Sequence, residues 1–315
     1  MGDSGSLYMP PANSTVAGDV DALFYFILYT SIVLFVIVIS ASAYFLYKYR
    51  RRGERTLTSG VDNNVKLELA WTIIPTILVI IVFIWGFKTY LKMHVPPRDA
   101  IELKVTGQKW FWTFDYPGGA NTVNDLYVPE GKAVKLLLSS QDVIHSFFVP
   151  DFRMKMDVLP NRYTIAWFEA IRAGEFQIFC TEYCGKGHSE MLGKVNVLSE
   201  KDYQAWLEKA MADIPEGVSL EEAGKELYRS KACVTCHSVD GTPGVAPSFL
   251  GRFGKKEKLS DGSEVLVDEN YIRESILNPQ AKVVQGFQPV MPTFQGVLKD
   301  RQIDALIAYI KSLKQ

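Results

Sequence analysis

This chain of 315 residues has no excess of positive or negative charge, and it contains few cysteines. Its 34 Lys and Arg stand against 35 Asp and Glu, which gives a formal net charge of −1. Proteins that bind nucleic acid usually carry a strong basic excess, so this balance excludes a general polyanion binder. The 4 cysteines are too few for a disulfide scaffold of this size. Internal repeats and low-complexity tracts are also absent, and the length allows two or three domains.

Charged residues are missing from two long apolar segments, residues 22–47 and 69–87. At about 1.5 Å per residue, each is long enough as a helix to cross a hydrocarbon layer of roughly 30 Å. A buried soluble helix and, for the first segment, a cleaved signal peptide are the alternatives. No basic residue precedes the first segment and both reach the length of a span, so we predict a hairpin of two transmembrane helices.

The distribution of Lys and Arg predicts how this hairpin is oriented. Residues 1–47 contain neither. The segment between the two spans contains Lys48, Arg50, Arg51, Arg52, Arg55 and Lys66. By the positive-inside rule this short loop is cytoplasmic, so both termini lie on the outer side of the membrane. We expect this to be the periplasmic side of a bacterial inner (plasma) membrane. Two spans alone make a poor channel, and we interpret them as an anchor that packs against a larger membrane partner.

The rest of the chain changes from a strand pattern to a helix pattern. Short alternating segments occur at 101–105, 110–116, 133–138, 163–168, 175–179 and 194–198. Turn residues separate them, which is typical of a β-sandwich or barrel. Ser199 and Ser219 are then candidate N-caps. The last helix has an apolar face formed by Ile303, Leu306, Ile307, Ile310 and Leu313.

These patterns predict a multidomain chain. We expect an outer N-terminal segment (1–21), a helical hairpin (22–95), a β domain (96–200), a helix and linker (201–218) and a helical domain (219–315).

The densest set of metal-binding residue types falls in the β domain. It comprises His145, Cys180, Cys184, His188 and Met191. Thiolate, imidazole and thioether are ligands that suit copper. A disulfide between the two cysteines and a structural zinc site are alternatives, although zinc favours four N or S ligands and does not need the methionine. Because a single copper usually takes one Cys and two His, two thiolates fit two metal ions better.

This segment resembles the binuclear copper A motif of cytochrome c oxidase subunit II, and the resemblance extends over about residues 20–200. It implies an N-terminal two-helix transmembrane hairpin and an all-β cupredoxin-like sandwich. The implied copper ligands are His145, Cys180, the backbone carbonyl of Glu182, Cys184, His188 and Met191. The Glu182 side chain resembles the family's ligand to a magnesium ion at the interface with subunit I, since magnesium prefers hard carboxylate oxygens.

Two further positions resemble residues with known roles in this family. Trp110, followed by Phe111 and Trp112, resembles the aromatic residue through which electrons enter. The alternative is an ordinary core or rim aromatic, and Lys109 stands where the family usually has Gln. Glu68, just before the second apolar segment, resembles the acidic residue near the mouth of a proton channel in subunit I. A solvated flank of the helix is the alternative.

A second redox motif lies near the C-terminus, where residues 233–237 read C-x-x-C-H, the motif of c-type haem attachment. Cys233 and Cys236 would form thioethers with the haem, and His237 would bind the iron. Met291 is the one methionine after the motif and no further His follows, so elimination favours Met291 as the second axial ligand, with a methionine that only fills the core as the alternative. Redox and zinc sites are alternatives, but the βαβ context or the extra ligands they need are missing.

Residues 219–315 are similar to class I cytochrome c, which implies an all-α cytochrome c-like domain with Pro247 near His237. The two resemblances together imply the electron-transfer subunit II of a proton-pumping cytochrome c oxidase. Electrons would pass from a respiratory donor, a cytochrome or a quinol-oxidising complex, to the haem and then to the copper pair. Subunit I, one of several partner subunits in the membrane, would reduce O2 to water.

Three other functions are compatible with parts of this pattern. The equivalent copper subunit of a nitric oxide reductase is an alternative within electron transfer. A non-enzymatic copper carrier or a zinc-stabilised interaction module is an alternative of another class. A quinol oxidase subunit is excluded, because that relative lacks the copper ligands that are complete in this chain.

Overall fold

The computed structural model describes residues 5–51, 53, 60–211, 214, 217–242 and 244–314. Arg52 and Arg55 of the predicted cytoplasmic loop lie outside these residues, as do positions 212–213 and 215–216 of the predicted linker. The chain forms a helical hairpin, a β-sandwich and a largely helical domain, in the predicted order.

Two long apolar helices form the hairpin, α1 (Ala17–Tyr49) and α2 (Val65–His94). Both are longer than the predicted spans, because polar residues continue or cap the helix at each end. Asn64, for example, caps α2 by accepting a hydrogen bond from the Leu67 N–H at 3.2 Å. The rings of Phe26 and Trp85 pack between the helices with centroids 5.5 Å apart. Most other apolar side chains of the hairpin are exposed, as surfaces that face lipid would be.

Polar contacts join one end of the hairpin to the sandwich. The Nε and Nη2 atoms of Arg153 bind the Asp21 carboxylate at 2.7 and 2.8 Å. Lys92, near the end of α2, binds Asp19 of α1 at 2.6 Å. Ser14 pairs with Ala170 in a backbone bridge. The N-terminal segment and the sandwich therefore lie at the same end of the hairpin, and the described residues of the basic loop lie at the other end.

The β domain is a sandwich of two five-stranded sheets. In spatial order, the first contains β3 (Asn121–Val123), β2 (Phe111–Asp115), β1 (Ile101–Gln108), β5 (Ala133–Ser140) and β8 (Thr164–Glu169). The second contains β4 (Asp125–Pro129), β10 (Leu192–Leu198), β9 (Gly174–Cys180), β6 (His145–Val149) and β7 (Met154–Val158). Strands β1 and β5 are parallel, as are β4 and β10, and the remaining pairs are antiparallel.

Large apolar side chains fill the space between the sheets. β5 alternates between buried and half-buried residues over its whole length. Trp112, Phe114, Phe147 and Phe168 are fully buried in the same core. Such close packing fixes the relative positions of the strands, and with them the positions of any ligands that the strands carry.

The sequence pattern did not predict four of these strands, β3, β4, β6 and β7. β3 has three residues, too few to display a period. β6 begins with three consecutive buried residues, His145, Ser146 and Phe147, so it lacks the alternation of a half-buried strand.

Helix α3 (Glu200–Met211) packs on the sandwich and is more than a linker. Ser199 caps it as predicted, accepting a hydrogen bond from the Asp202 N–H at 3.2 Å. The Trp206 ring stacks on Tyr127 with centroids 4.4 Å apart, and Tyr203 is buried in the sandwich core. The β domain was predicted to end at residue 200, but α3, which begins there, packs on the sandwich and belongs to the same structural unit.

The C-terminal domain contains α4 (Leu220–Ser230), α5 (Glu269–Leu277) and α6 (Asp300–Ser312). Ser219 caps α4 by accepting from the Glu222 N–H at 3.2 Å, as predicted. α4 crosses α6 so closely that a Cβ added at Gly224 would lie 1.9 Å from the Ala305 carbonyl oxygen. Of the predicted apolar face of α6, Ile303, Leu306, Ile307 and Ile310 are buried, and Leu313, just after the helix, is half-buried. Short α5 and a small hairpin, β11 (Lys256–Lys258) and β12 (Glu264–Leu266), were not predicted.

Candidate metal centres

Strand pairing brings the predicted ligands of the β domain to one end of the second sheet. His145 is the first residue of β6 and Cys180 is the last of β9, and these two strands are hydrogen-bonded neighbours. The loop that follows carries Cys184 and His188. Met191 then directly precedes β10. Two strand ends and one loop thus converge on a single site.

The donor atoms of these five side chains lie close together. Cys180 Sγ is 3.8 Å from Cys184 Sγ and 3.9 Å from His145 Nδ1. Cys184 Sγ is 3.5 Å from His188 Nδ1 and 3.8 Å from Met191 Sδ. The sulfur–sulfur distance is far longer than the roughly 2.05 Å of a disulfide, so the alternative of a Cys180–Cys184 disulfide is not what the structure contains.

A sixth donor comes from the backbone. The Glu182 carbonyl oxygen lies 3.3 Å from Cys180 Sγ, while the Glu182 side chain is exposed. His145 and Met191 are fully buried. Two thiols, two imidazoles, a thioether and a carbonyl exceed the four ligands of a structural zinc site. Their softness and number fit a pair of copper ions.

A carboxylate fixes the orientation of one imidazole. Asp142 Oδ1 lies 2.8 Å from His145 Nε2, which leaves Nδ1 directed at Cys180. The Asp142 carboxylate also accepts from the N–H groups of Lys109 at 2.8 Å and Val143 at 2.6 Å. Burial alone would raise the pKa of Asp142, but these hydrogen bonds outweigh it and lower the pKa. Such outer contacts hold a metal-binding histidine in one tautomer and one orientation.

The two thiols differ in how readily they ionise. Burial raises the pKa of both. For Cys180, hydrogen bonds with His145 and with the backbone outweigh burial and lower the pKa. For Cys184, the negative charge on Cys180 adds to burial and raises the pKa. Two adjacent thiolates therefore need a compensating positive charge, which bound metal ions provide.

Trp110 lies directly against the ligand loop. Its Nε1 donates a hydrogen bond to the Cys184 carbonyl at 3.2 Å. A Cβ added at Gly187 would lie 2.6 Å from Trp110 Cδ2, and one added at Gly185 would lie 3.3 Å from Cζ2. The indole of Trp110 is half-buried. It packs on the backbone of Gly185 and Gly187, where a larger residue would crowd the ring, next to the predicted ligand Cys184.

Glu68 lies apart from this cluster, at the opposite end of the hairpin. It is exposed in the first turn of α2, and its carboxylate accepts from the Asn64 N–H at 3.4 Å. The structure therefore gives Glu68 a role in capping the helix and does not bring it to the other predicted site residues.

In the C-terminal domain, the C-x-x-C-H motif forms a tight turn after α4. The His237 N–H donates to the Cys233 carbonyl at 2.9 Å. His237 Nδ1 lies 2.7 Å from the Pro247 carbonyl oxygen. Since a carbonyl only accepts, Nδ1 carries the proton and Nε2 is left for a metal. Phe249 stacks on the imidazole with centroids 4.2 Å apart, and the Tyr228 hydroxyl donates to the His237 carbonyl at 2.5 Å.

Met291 occupies a loop between α5 and α6. It is half-buried against the same hydrophobic core as Cys233. The Gln280 amide donates to the carbonyls of Pro289 at 2.9 Å and Met291 at 3.4 Å, which ties this loop to the end of α5. No hydrogen bond or ring contact among the described residues joins Met291 to His237. Met291 packs directly against this core, and His237 stacks on Phe249, which packs against the same core.

Family models match three consecutive parts of the chain. They are the transmembrane domain of cytochrome c oxidase subunit II (residues 2–89), the periplasmic domain of the same subunit (residues 120–197) and cytochrome c (residues 221–314). Cytochrome c oxidase subunit 2 of Alkalihalophilus pseudofirmus is 34% identical over 288 residues, which cover 89% of this chain and 82% of that protein. The chain belongs to the cytochrome c oxidase subunit II family.

Other relatives carry the same description. Cytochrome c oxidase subunit 2 of Bacillus sp. is 32% identical and covers 84% of this chain and 79% of its own length. A crystal structure of the periplasmic domain of subunit II of cytochrome oxidase from Bradyrhizobium japonicum is 31% identical. The matched region covers 37% of this chain and 96% of the chain in that structure, with a TM-score of 0.36.

Membership in this family confirms the main predictions from the sequence. The chain is an electron-transfer subunit of a haem–copper oxidase, which is an oxidoreductase complex. The subunit II family implies a binuclear copper centre and a subunit I partner, and the cytochrome c domain implies a haem. The two apolar helices make it a membrane protein. None of these matches supports the nitric oxide reductase alternative.

Sequence reasoning missed several residues that shape the sites of this subunit II. Asp142 carries a weak local signal, since it lies three positions before a ligand histidine. Gly187 and Phe249 carry no such signal. No sequence motif links them to the residues that they contact, Trp110 and His237. Pro247, in contrast, was expected near His237 and is found there.

Proposed function

We propose that six donors of the β domain hold the binuclear copper centre of this subunit II, namely His145, Cys180, the Glu182 carbonyl, Cys184, His188 and Met191. One observation carries this proposal. Two free thiols stand with their sulfur atoms 3.8 Å apart, each within 3.9 Å of a histidine Nδ1. Thiolates that bridge two ions need this proximity, and a lone zinc ion or a disulfide does not explain the additional donors.

The C-terminal domain binds haem covalently through Cys233 and Cys236, with His237 Nε2 and Met291 Sδ as axial iron ligands. The hydrogen bond from His237 Nδ1 to Pro247 supports this assignment, because it fixes the tautomer that a proximal histidine requires. Ligation by His and Met raises the potential of a c-type haem and suits electron transfer.

When bound, the haem and the copper pair supply one-electron carriers. The contribution of the chain is to hold their ligands still. Asp142 fixes His145, and a Cβ on Gly107 would approach the same imidazole to 3.0 Å. Because the side chains around the site are close-packed, its geometry changes little when its charge changes. No acid, base or nucleophile of this chain is needed.

Three finer assignments belong to the same proposal. Trp110 is the residue through which electrons from outside the domain reach the ligand loop, as its contact with Cys184 supports. The exposed Glu182 side chain contributes to a magnesium site shared with subunit I. Glu68 receives protons near the mouth of a channel in subunit I. Trp110→Phe is tested by oxygen consumption and Glu68→Gln by proton uptake. Glu182→Gln is tested by the binding of manganese in place of magnesium.

The membrane orientation is also part of the proposal. The contacts of residues 13–21 with the sandwich support placing the N-terminus and both metal domains on one side, and the basic loop supports calling that side periplasmic. The respiratory donor, a cytochrome or a quinol-oxidising complex, would deliver electrons there. Labelling single cysteines in closed cells with an impermeant maleimide tests this orientation.

The central experiment is a count of metals in the purified full chain. We expect two copper ions and one covalent haem per polypeptide, with the electron paramagnetic resonance signal of a mixed-valence copper pair. Cys184→Ser should abolish that signal, whereas Ser189→Ala, an exposed position in the same loop, should retain it. Fewer than two copper ions per wild-type chain, or bound zinc in their place, would contradict the proposal.

A further inference from the structure

The sandwich and the haem domain have separate hydrophobic cores joined by very little chain. Ala210, in the last turn of α3, packs against the sandwich core. Ile214 packs against Ala223 and Ala305 of the haem domain. Four peptide steps separate these two anchored residues, and a fully extended chain covers at most about 14 Å in that length. One short connection limits how far the domains separate, but it does not fix how one turns against the other.

A second connection is made by a buried lysine. Lys231 lies two residues before Cys233 and is 6% exposed. Its Nζ donates hydrogen bonds to the backbone carbonyl of Asn121 at 2.8 Å and to Asn121 Oδ1 at 3.0 Å. Asn121 opens strand β3 at the edge of the sandwich, and its amide nitrogen donates to Asp115 Oδ1 at 2.5 Å. A side chain of the haem domain is therefore inserted into a polar site of the copper domain.

This insertion is unusual for a lysine. Lysine is almost never fully buried unless its charge is satisfied. Within the described part of the chain, Lys231 is the one Lys, Arg, Asp or Glu that is buried. Burial lowers the pKa of Lys231 to about 8, although the nearby Asp115 acts in the opposite direction. Removing an ammonium group from water is costly. A chance contact between domains would leave it solvated, so the two carbonyls and the adjacent carboxylate form a specific acceptor site.

We propose that Lys231, received by Asn121, is the positioning residue that fixes the haem domain on the copper domain for electron transfer within the chain. Together with the connection at residues 210–214, it makes a two-point attachment, which removes the rotation that one short linker leaves free. The inference rests on the proposed function, since it assigns the haem and the copper pair to these two domains. A tether alone raises the local concentration of the donor, and a second contact adds orientation.

Acetylation of lysines in the intact full-length chain measures this docking without using its metals. With acetic anhydride and mass spectrometry, Lys231 should react at least about tenfold more slowly than Lys225, an exposed lysine of α4. Asn121→Ala removes one of two acceptors and should raise the reactivity of Lys231 several-fold, with that of Lys225 unchanged. Equal reactivity of the two lysines in the wild-type chain, or no response to Asn121→Ala, would overturn the proposal.

Electron transfer in the assembled oxidase tests the role of the docked state. After rapid photoreduction of the haem, the first-order rate of copper reduction should fall about tenfold in Lys231→Met, because a buried, charge-assisted contact is lost. Asn121→Ala should give a smaller decrease, and Lys225→Met none. Haem potential, copper spectrum and the unfolding midpoint of each domain should remain at wild-type values. An unchanged rate in Lys231→Met would overturn the proposal, whereas a missing copper or haem signal in wild type would instead contradict the proposed function.

Discussion

The copper domain and the haem domain hold their metal ligands in different ways. In the copper domain, His145 and Cys180 lie within paired strands, Met191 directly precedes a third, and all of these are buried. In the haem domain, the proposed ligands lie in a single 3-10 turn and in loops between helices, and all are half-buried. Four of the five copper-ligand side chains are therefore buried in the sandwich, with His188 half-buried, whereas the haem ligands lie around the edge of a core.

The two domains also differ in how closely the fold brings the proposed ligands together. Five copper-ligand side chains already have neighbouring donor atoms at 3.5–3.9 Å, because the sandwich holds them there. Met291, in contrast, packs on the core of the haem domain, and His237 is held by Phe249 and by the Pro247 carbonyl. We infer that the copper site is preformed by protein packing, whereas the haem domain acquires part of its core only when the haem is attached.

The largest expected effect follows from removing each cofactor in turn. In a chain with Cys233→Ser and Cys236→Ser, the haem domain should lose its stability, on the order of 5 kcal/mol for a small domain. Removal of copper by a chelator should leave the sandwich folded, because packed side chains of both sheets hold its core together. Hydrogen exchange measured by mass spectrometry would compare amides of α6 with those of β5 and β9. Equal protection of the haem domain with and without haem would show that its core, like that of the sandwich, does not depend on its cofactor.

The sequence predicted what short segments encode. The ligand spacing at 180–191 and the motif at 233–237 are local patterns, so they could be read before the fold was known. Caps at Ser199 and Ser219 are equally local, and both are confirmed. Local chemistry thus predicted the two sites and the order of the domains.

Contacts between distant segments could not be predicted in this way. Lys231 and Asn121 are 110 positions apart, and nothing in either segment specifies the other. The packing of α3 on the sandwich depends on Trp206 meeting Tyr127, which amphipathic periodicity alone does not reveal. Sequence patterns predict which face of an element is apolar, but they do not predict which partner covers it.

The helix crossing in the haem domain offers the next largest effect. Gly224→Ala would place a methyl group 1.9 Å from the Ala305 carbonyl oxygen, so α4 and α6 would have to move apart. We expect a loss of about 3 kcal/mol, at the upper end of typical overpacking costs. Denaturant unfolding followed at the haem absorbance would measure it.

The neighbouring exposed Lys225→Ala is the matched control and should change stability by less than about 0.5 kcal/mol. The copper spectrum should be the same in both variants, since the two domains have separate cores. A change in the copper spectrum of Gly224→Ala would mean that the domains are less independent than their cores indicate.

A smaller effect is expected from the carboxylate behind His145. Asp142→Asn keeps the shape of the side chain but removes the negative charge that accepts from His145, Lys109 and Val143. We expect copper affinity to fall by about 10- to 100-fold, as is usual for contacts that orient a metal ligand. Competition with a copper chelator would measure it. Unaltered affinity would show that core packing, without Asp142, is enough to orient His145.

The smallest expected effect is on stability, in Met191→Leu. Leucine has nearly the volume of methionine, so the buried position should lose less than about 1.5 kcal/mol in the metal-free chain. The thioether donor is removed, however, so the copper resonance spectrum should change while urea unfolding does not. Met291→Leu, at the half-buried position, should likewise cost little in stability but lower the haem potential. If Met191→Leu cost 3 kcal/mol or more without copper, the sulfur itself would be required for the fold. The copper site would then depend on its ligands as the haem domain depends on its cofactor, and the contrast between the two domains would be lost.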